Sequence, residues 1–448
     1  MLRAALSCVA AAAVACGGEP AGQRPQANVL LISIDTLRAD HVGAYGYAQP
    51  TTPHIDALAE DSVRFEECVA HAPTTLASHA SIFTSLLPRH HGASIARASR
   101  LTPGATSLAE ILRDRGYSTA SFNGGIQLDA AYGLGRGFDV YESARSHEAT
   151  SRTLTGPEDR LRHGVDRTIS WLRETRSPFF VFLHSYEIHH PYTPDDEFLA
   201  YFETDYAGDL PDRISVQLLE EINAGEHAID AADAAHIVRS YDAELRSADA
   251  AVGRLLAFLR EHDLYDDTLI VVTSDHGEEF GERDWYGWHG QTLFDEVLLV
   301  PLVIKLPESR LSGTVGRVQA RGIDVAPTVL AALGVAPPAS FAGGDLVAAL
   351  DRPGGPPPPA VSTFDLPSDL PLWSARTGDW KLLWGDRFFD LADDPLEKTN
   401  VAAQKPGEFA KLKRDGHALL YDRAMPADVP APLRHETVEQ LRELGYIE

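Results

Sequence analysis

Residues 28–35 read NVLLISID, an unbroken run of Val, Leu and Ile with one Ser that closes on an aspartate. A strand with one wet face alternates apolar and polar residues. This one has no polar face, so it is expected deep in a parallel sheet that is covered on both sides. Two other stretches have the same form, PFFVFLHSY at 178–186 and DTLIVVTSDHG at 267–277. Between them lie helical patterns: PHIDALAEDSVRF, SLAEILRDRGY, GVDRTISWLRE and the long AHIVRSYDAELRSADAAVGRLLAFLREH. Strand alternating with helix predicts a doubly wound α/β sheet, in which ligands bind beyond the carboxyl ends of the strands. All three runs finish in polar residues: Asp35; His184 and Glu187; Asp275 and His276. A site is therefore expected on that rim.

The chain has 448 residues, 44% of them hydrophobic, enough for a large buried core. Lys and Arg number 39 against 65 Asp and Glu, a formal charge of −26 that repels nucleic acid and anionic lipid. No nucleic acid partner is expected. The start, MLRAALSCVAAAAVACGGEP, has one cationic residue, a short Ala-rich apolar run and small residues before Cys16, the layout of an export leader. Its AVAC tetrad is similar to the lipobox of bacterial lipoproteins. Residues 1–15 are thus expected to be removed and 16–27 to tether an exported protein to a bacterial membrane through lipid on Cys16; an ordinary signal peptide cut near Ala15 is the alternative. With Cys8 and Cys16 in this region, Cys68 is the one cysteine left for the folded body, and no internal disulfide is available. Cys68 reads as a buried apolar residue.

Further along, GIDVAPTVLAALGV is helical, and RPGGPPPPA at 352–360 breaks regular structure. It separates a catalytic domain, 28–351, from a smaller C-terminal unit, 361–448, in which WKLLWGDRFFDL reads as a hairpin turning at Gly385-Asp386, with terminal helices after it. Segment 196–235 reads as an acidic insertion.

Asp35, Asp275 and His276 are two hard oxygen donors and an imidazole on one rim. Buried unpaired charges are costly, and one divalent cation would neutralise them; the mixed donor set suits Mn, Mg, Ca or Zn. Another stretch, PTTLASHASIFTSLLPRHHG at 73–92, reads as a single helix that opens at Thr74-Thr75 and carries Arg89 to His91 at its carboxyl end, where cations are favourable. His79 stands one turn after Thr75 on the same face.

Several blocks resemble the sulfatase family of the alkaline phosphatase superfamily: NVLLISIDTLRADHVGAYGY; TTPHIDALAEDSVRFEECVAHAPTTLASHASIFTSLLPRHHG; TSDHGEEFGERDWYGWHGQTLFDEVLLVPLVIKLP; HSYEIHHPYTP; and GDWKLLWGDRFFDLADDPLEKTNVA. The resemblance implies an alkaline-phosphatase-like, mostly parallel sheet with a smaller C-terminal α+β subdomain. It also implies a cation held by Asp35, Asp275 and His276, with the nucleophile at position 75 as a further ligand. Family members place Cys or Ser there, within a Cys/Ser-x-Pro-x-Arg signature, and oxidise it to formylglycine. Here the matching residues are Thr75, Ala77 and His79. Threonine carries a methyl on Cβ, so the same oxidation would give a ketone; Thr75 is expected to stay an alcohol, as in members acting on phosphorus. His189 matches the family histidine that assists the leaving group, and His289 falls near the position of a family lysine. Both are expected to contact the anion or the leaving group, one of them as an acid titrating near neutrality. His184, Glu187 and His190 are weaker candidates, which with His189 and His289 offer a second metal site as in superfamily phosphodiesterases; a single metal is expected.

These readings describe a metal-dependent hydrolase of small-molecule, glycan or lipid esters, with phosphoryl esters expected ahead of sulfate esters. The alternatives are a true sulfatase, a phosphoglycerol-type transferase and, more remotely, a surface binding protein without activity.

Overall fold

The computed structural model describes residues 27–144, 160–176, 178–202, 205–351, 358–365, 372–423, 432, 433 and 438. The leader, Cys16, most of the tether, the centre of the Pro/Gly stretch and the last residues lie outside them.

The described chain builds a nine-stranded sheet from β1 Asn28–Ile34, β2 Val63–Val69, β3 Ser118–Gly124, β4 Val140–Ala144, β5 Phe179–Ser185 and β6 Thr268–Thr273, completed by β9 Leu299–Lys305, β10 Thr314–Gly316 and β11 Ala320–Arg321. The short β7 Glu279–Phe280 and β8 Tyr286–Trp288 form a separate hairpin. The order is β10-β2-β9-β6-β1-β5-β3-β4, with β11 also on β2. Every pairing is parallel except those of β9, which runs antiparallel to both β2 and β6. The expected mostly parallel α/β sheet is the fold.

β1 sits at the centre with β5 and β6 on its flanks, so the three apolar runs are neighbours. Its side chains alternate as a strand requires: Val29 and Leu31 enter the core on one face, Leu30, Ile32 and Ile34 that on the other, and all are buried. Helices Thr75–Thr84, Leu108–Arg113 and Val325–Ala332 cover the first face, and Pro53–Glu60, Leu161–Glu174 and the 31-residue Ala231–Glu261 cover the second. The acidic segment 196–235 contains helices Asp196–Leu199 and Val216–Asn223; the second joins the second-face core through Leu219 and Ile222, while Leu199 packs with Phe202 and Ala243 in a separate small cluster against the long helix. Cys68 is a fully enclosed core residue.

The expected single helix at 73–92 is two. The first, Thr75–Thr84, stops at Ser85, whose backbone is left-handed at φ 53°. Long-range bonds hold that turn: Ser85 Oγ donates to Ile323 O at 2.7 Å and Ala342 N donates to Ser85 O at 2.7 Å. Pro88–His91 is a separate turn, in which Arg89 stacks on Tyr421 and His91 is buried.

A second sheet, β12 Ala360–Phe364, β13 Leu372–Arg376, β14 Trp380–Leu383 and β15 Arg387–Asp390, is antiparallel throughout and packs on helix Pro406–Tyr421. The β14–β15 turn is at Gly385 and Asp386, both with positive φ (75° and 58°). Buried ions tie this sheet to the large one. Lys381, with no exposed surface, reaches Asp295 at 2.6 Å and Glu397 at 2.9 Å, while Arg376 bridges Asp295 (2.9 Å) and Glu67 (2.8 Å). Removing one charge from such a cluster strands the others. Lys381→Met is expected to cost about 3–5 kcal/mol of stability in denaturant unfolding, with part of the loss recovered when Asp295→Asn is added.

Candidate functional site

Adjacency of β6, β1 and β5 brings three strand ends to one point. Asp35 follows the last residue of β1, and its N–H continues the ladder by donating to Ser185 O at 3.0 Å. Asp275 and His276 lie in the turn after β6. Ser274 locks that turn to β1: its Oγ accepts from Leu37 N–H (3.0 Å) and donates to His276 O (2.8 Å). Gly277 follows because no side chain fits; a Cβ there would stand 2.3 Å from Glu296 O. Ligand atoms of Asp35, Asp275 and His276 lie within 4.8 Å of one another, and all three residues are fully buried.

The hydrogen bonding of these groups is incomplete. Asp275 Oδ1 accepts from His276 N–H at 3.0 Å, yet Oδ2 has no partner; Asp35 Oδ1 has none; and His276, whose Nδ1–H donates to Gly277 O at 3.0 Å, is left with an unpaired Nε2. Burial, and then the Asp275 carboxylate beside it, pushes Asp35 well above the usual carboxylate range. Burial acts on Asp275 in the same sense, but His276, His79 and His184 outweigh it and hold that carboxyl below its ordinary value. His276 is drawn upward by Asp275 and Asp35 against the effect of its burial. Two carboxylate oxygens and an imidazole nitrogen, fully buried and without hydrogen-bond partners, are a set that could hold a divalent cation.

Thr75 is the first residue of its helix, and its hydroxyl donates to Asp35 Oδ2 at 3.1 Å. It therefore belongs to the same cluster. Thr74 occupies the cap position in an extended conformation but its side chain makes no capping bond, in contrast to the capping role that its position suggests. Gln127, which sequence reading missed, accepts the next N–H, from Leu76, through Oε1 at 3.3 Å.

His79 is one turn on, as expected, but its ring is engaged below the pocket. Nδ1–H donates to Thr75 O at 2.9 Å, so Nε2 accepts from Ser33 Oγ at 2.9 Å. Burial pulls its pKa down to about 3. The i,i+4 relation delivers the ring to the carbonyl of Thr75 and not to its hydroxyl, and both ring nitrogens are engaged, with Thr75 O and Ser33 Oγ. His184 lies beside it, ring centroids 4.8 Å apart, with Nε2 3.3 Å from Asp35 Oδ2. Glu187 turns elsewhere: it accepts from Leu161 N–H at 2.8 Å and Ser247 Oγ at 2.6 Å, at the start of helix Leu161–Glu174.

The far wall is imidazole. His289, after the β7–β8 hairpin, has its ring 4.5 Å from that of His276 and 4.8 Å from that of His189. His189 Nδ1–H donates to His190 O at 2.7 Å. Behind the rings stands Glu278, fully buried: Oε2 accepts from Tyr192 Oη, and Oε1 lies 3.3 Å from His190 Nδ1 and 3.5 Å from His289 Nδ1. Burial raises the Glu278 pKa, but the bonds to His190 and His289 outweigh it and keep the group a carboxylate. Burial takes His189 well below the usual histidine value and, with the charge of His276, takes His289 down to about 4. A histidine titrating near neutrality, expected from sequence at one of these positions, is not what the pocket makes. Arg38, also missed, is spent on the loop around Glu278, donating to Glu278 O (2.9 Å), Glu282 Oε1 (2.7 Å) and both oxygens of Asp40.

The family profile described as Sulfatase matches residues 27–335. An N-acetylglucosamine-6-O-sulfatase of Bacteroides thetaiotaomicron is 22% identical over 94% of this chain and 90% of its own. The multifunctional alkaline phosphatase superfamily protein PehA of Trinickia caryophylli is 25% identical over 71% of this chain and 76% of its own. Among solved structures, the phosphonate monoester hydrolase of Agrobacterium radiobacter superposes with a TM-score of 0.72 at 23% identity, covering 88% of this chain and 95% of the other, and so shares the fold. The chain belongs to the sulfatase family of the alkaline phosphatase superfamily, and it is a sulfate- or phosphate-ester hydrolase.

Proposed function

We propose that the protein hydrolyses phosphoryl esters in preference to sulfate esters, with Thr75 as the nucleophile and one divalent cation held by Asp35, Asp275, His276 and Thr75. The observation that supports this reading is the hydrogen bond that the Thr75 hydroxyl donates to Asp35 Oδ2 at 3.1 Å, beside two carboxylate oxygens and an imidazole nitrogen that have no hydrogen-bond partner. When bound, the cation supplies charge neutralisation and a lowered hydroxyl pKa.

The chain's own groups do the rest. Asp35 Oδ2 already accepts the Thr75 hydroxyl hydrogen and is the first station for its proton. His79 holds the Thr75 carbonyl and fixes the first turn, so that the oxygen faces phosphorus from the amino end of a helix, where negative charge is favoured. Thr75 Oγ bonds to phosphorus as the ester oxygen leaves; water then cleaves the phosphothreonine and restores the alcohol. A sulfated threonine has no hemiacetal hydroxyl with which to expel sulfate, and this favours phosphorus. Relatives named for sulfate esters and for phosphonate monoesters both share the architecture, which accommodates either chemistry. The exported, Cys16-lipidated state is part of the same proposal and is supported by the leader sequence alone.

Paired aryl phosphate mono- and diesters and aryl sulfates, assayed with Mn, Mg, Ca or Zn, test the chemistry. Phosphoryl esters are expected to turn over faster; Thr75→Ser keeps measurable activity, and Thr75→Ala loses at least about a thousandfold in kcat/KM. Preference for sulfate, or an active Thr75→Ala, overturns the reading. Mass spectrometry of the mature amino terminus is expected to find lipid on Cys16, and an unmodified Cys16 removes the anchor.

A further inference from the structure

Where the smaller unit meets the large sheet, a cavity of about 230 Å³ opens beside the helix that begins at Thr75. None of its lining residues belongs to the cluster around Thr75. Its inner wall is buried and consists of His71, Leu87, His90 and Ile323, closed by Val361 of β12. Its lip is half-buried and belongs to the smaller unit, with Ala418 and Leu419 of helix Pro406–Tyr421 and Arg423 just after it. Arg321 also lines the cavity, but its guanidinium is engaged by Asp324 at 3.0 and 2.7 Å.

Polar groups at the two ends of this cavity are unfinished. His71 is fully buried, and its Nδ1–H donates to Val361 O at 2.6 Å; Nε2 is thereby left as a lone pair, and it has no partner. Both ring nitrogens of His90, 1% exposed, lack one as well. Burial takes each of these histidines down to about 4, so the rings are neutral at pH 7. At the lip, Arg423 donates to Ser340 O, and no carboxylate among the described residues pairs with it, in a chain where 65 acids face 39 bases. Between the ends the walls are aliphatic. A buried water needs about two to four polar partners, and the middle of the cavity offers none. The arrangement asks for a hydrogen-bond donor at one end, a negative charge at the other and an apolar body between them.

We propose that this cavity binds a small carboxylic acid bearing a hydroxyl at its far end, with the carboxylate on Arg423, the body against Leu87, Ile323, Val361 and Leu419, and the hydroxyl donating to His71 Nε2. Its volume falls just under the common range of ligand pockets, about 300–1,000 Å³, which suits a single ring. The site is independent of the ester chemistry, yet it adjoins the helix that presents the nucleophile. Ile323 O accepts from Ser85 Oγ and Ala342 N–H donates to Ser85 O, so two lining residues hold the turn that ends this helix, and His71 stands four residues before Thr75. An occupant therefore touches the chain on both sides of the nucleophile helix.

The test is calorimetric titration of the full chain with 4-hydroxybenzoate as the probe. One equivalent is expected to bind with a Kd below about 1 mM. Benzoate, which lacks the hydroxyl, and 4-hydroxybenzamide, which lacks the charge, are each expected to bind about 10-fold more weakly or worse. Arg423→Gln is expected to erase the difference between 4-hydroxybenzoate and 4-hydroxybenzamide, His71→Phe that between 4-hydroxybenzoate and benzoate, and Ala418→Trp to fill the cavity and abolish binding. Asp275→Asn is expected to leave the affinity unchanged, since the probe does not enter the pocket around Thr75. No heat of binding in wild type up to about 10 mM probe, equal affinity for the three compounds, or binding that survives Arg423→Gln and Ala418→Trp but is lost in Asp275→Asn overturns the proposal. Arg423 stands at the half-buried lip, so its variant decides the matter even if His71→Phe fails to fold.

Discussion

Two carboxylates buried side by side are the constraint to which the rest of this structure answers. Asp35 and Asp275 end neighbouring strands of the sheet, fully enclosed, each with an oxygen that no protein donor meets. Left alone, that pair would cost several kcal/mol in desolvation and mutual repulsion. The surroundings offset the cost piece by piece: Thr75 donates to one carboxylate, the His276 amide to the other, and His276 carries positive character drawn from both. What remains unsatisfied is two carboxylate oxygens and an imidazole nitrogen, a set that could hold a divalent cation. The site is thus the unfinished part of the core, and reaction chemistry occupies the place where folding alone would leave a deficit.

The smaller sheet is tied into the same region. Asp295, which anchors Lys381 and Arg376, lies six residues beyond His289, so the buried ion cluster fixes one end of the segment that carries the imidazole wall. Glu397 completes the cluster, accepting from Asp295 N–H at 2.7 Å and pairing with Lys381. This gives a physical reason for the acidic residue in the DPLEKTN stretch, which the sequence marks only as part of a block shared with the family.

Much of this was legible in the sequence, and for identifiable reasons. Strands β1, β5 and β6 announce themselves because a strand buried on both faces has no polar alternation to confuse it. Their polar ends mark the rim without any knowledge of topology. What the sequence conceals depends on partners far away in the chain. Ser85 breaks a helix whose local pattern continues, because Ile323 and Ala342 hold its turn. His79 lies on the predicted face, but the distance of one turn brings it to a carbonyl rather than a hydroxyl. Glu278 reads as one acid among several in SDHGEEFGE, and only convergence with residues 190, 192 and 289 gives it a role. β10 and β11, three and two residues long, are too short for any periodicity to register.

The placement of β1 has a consequence for how the molecule comes into being. The central strand is the first to be made, yet its two neighbours, β5 and β6, emerge only after much of the chain has followed. Until β6 is laid against β1, Asp35 has no Asp275 beside it and no cation site exists. Pairings this distant in sequence close slowly, since loop entropy must be overcome before contacts repay it. A cation held by Asp35, Asp275 and His276 would therefore be a late tenant, unable to guide the early collapse and able only to latch the assembled sheet from the inside, so that closing the central strands and completing the proposed site are a single event.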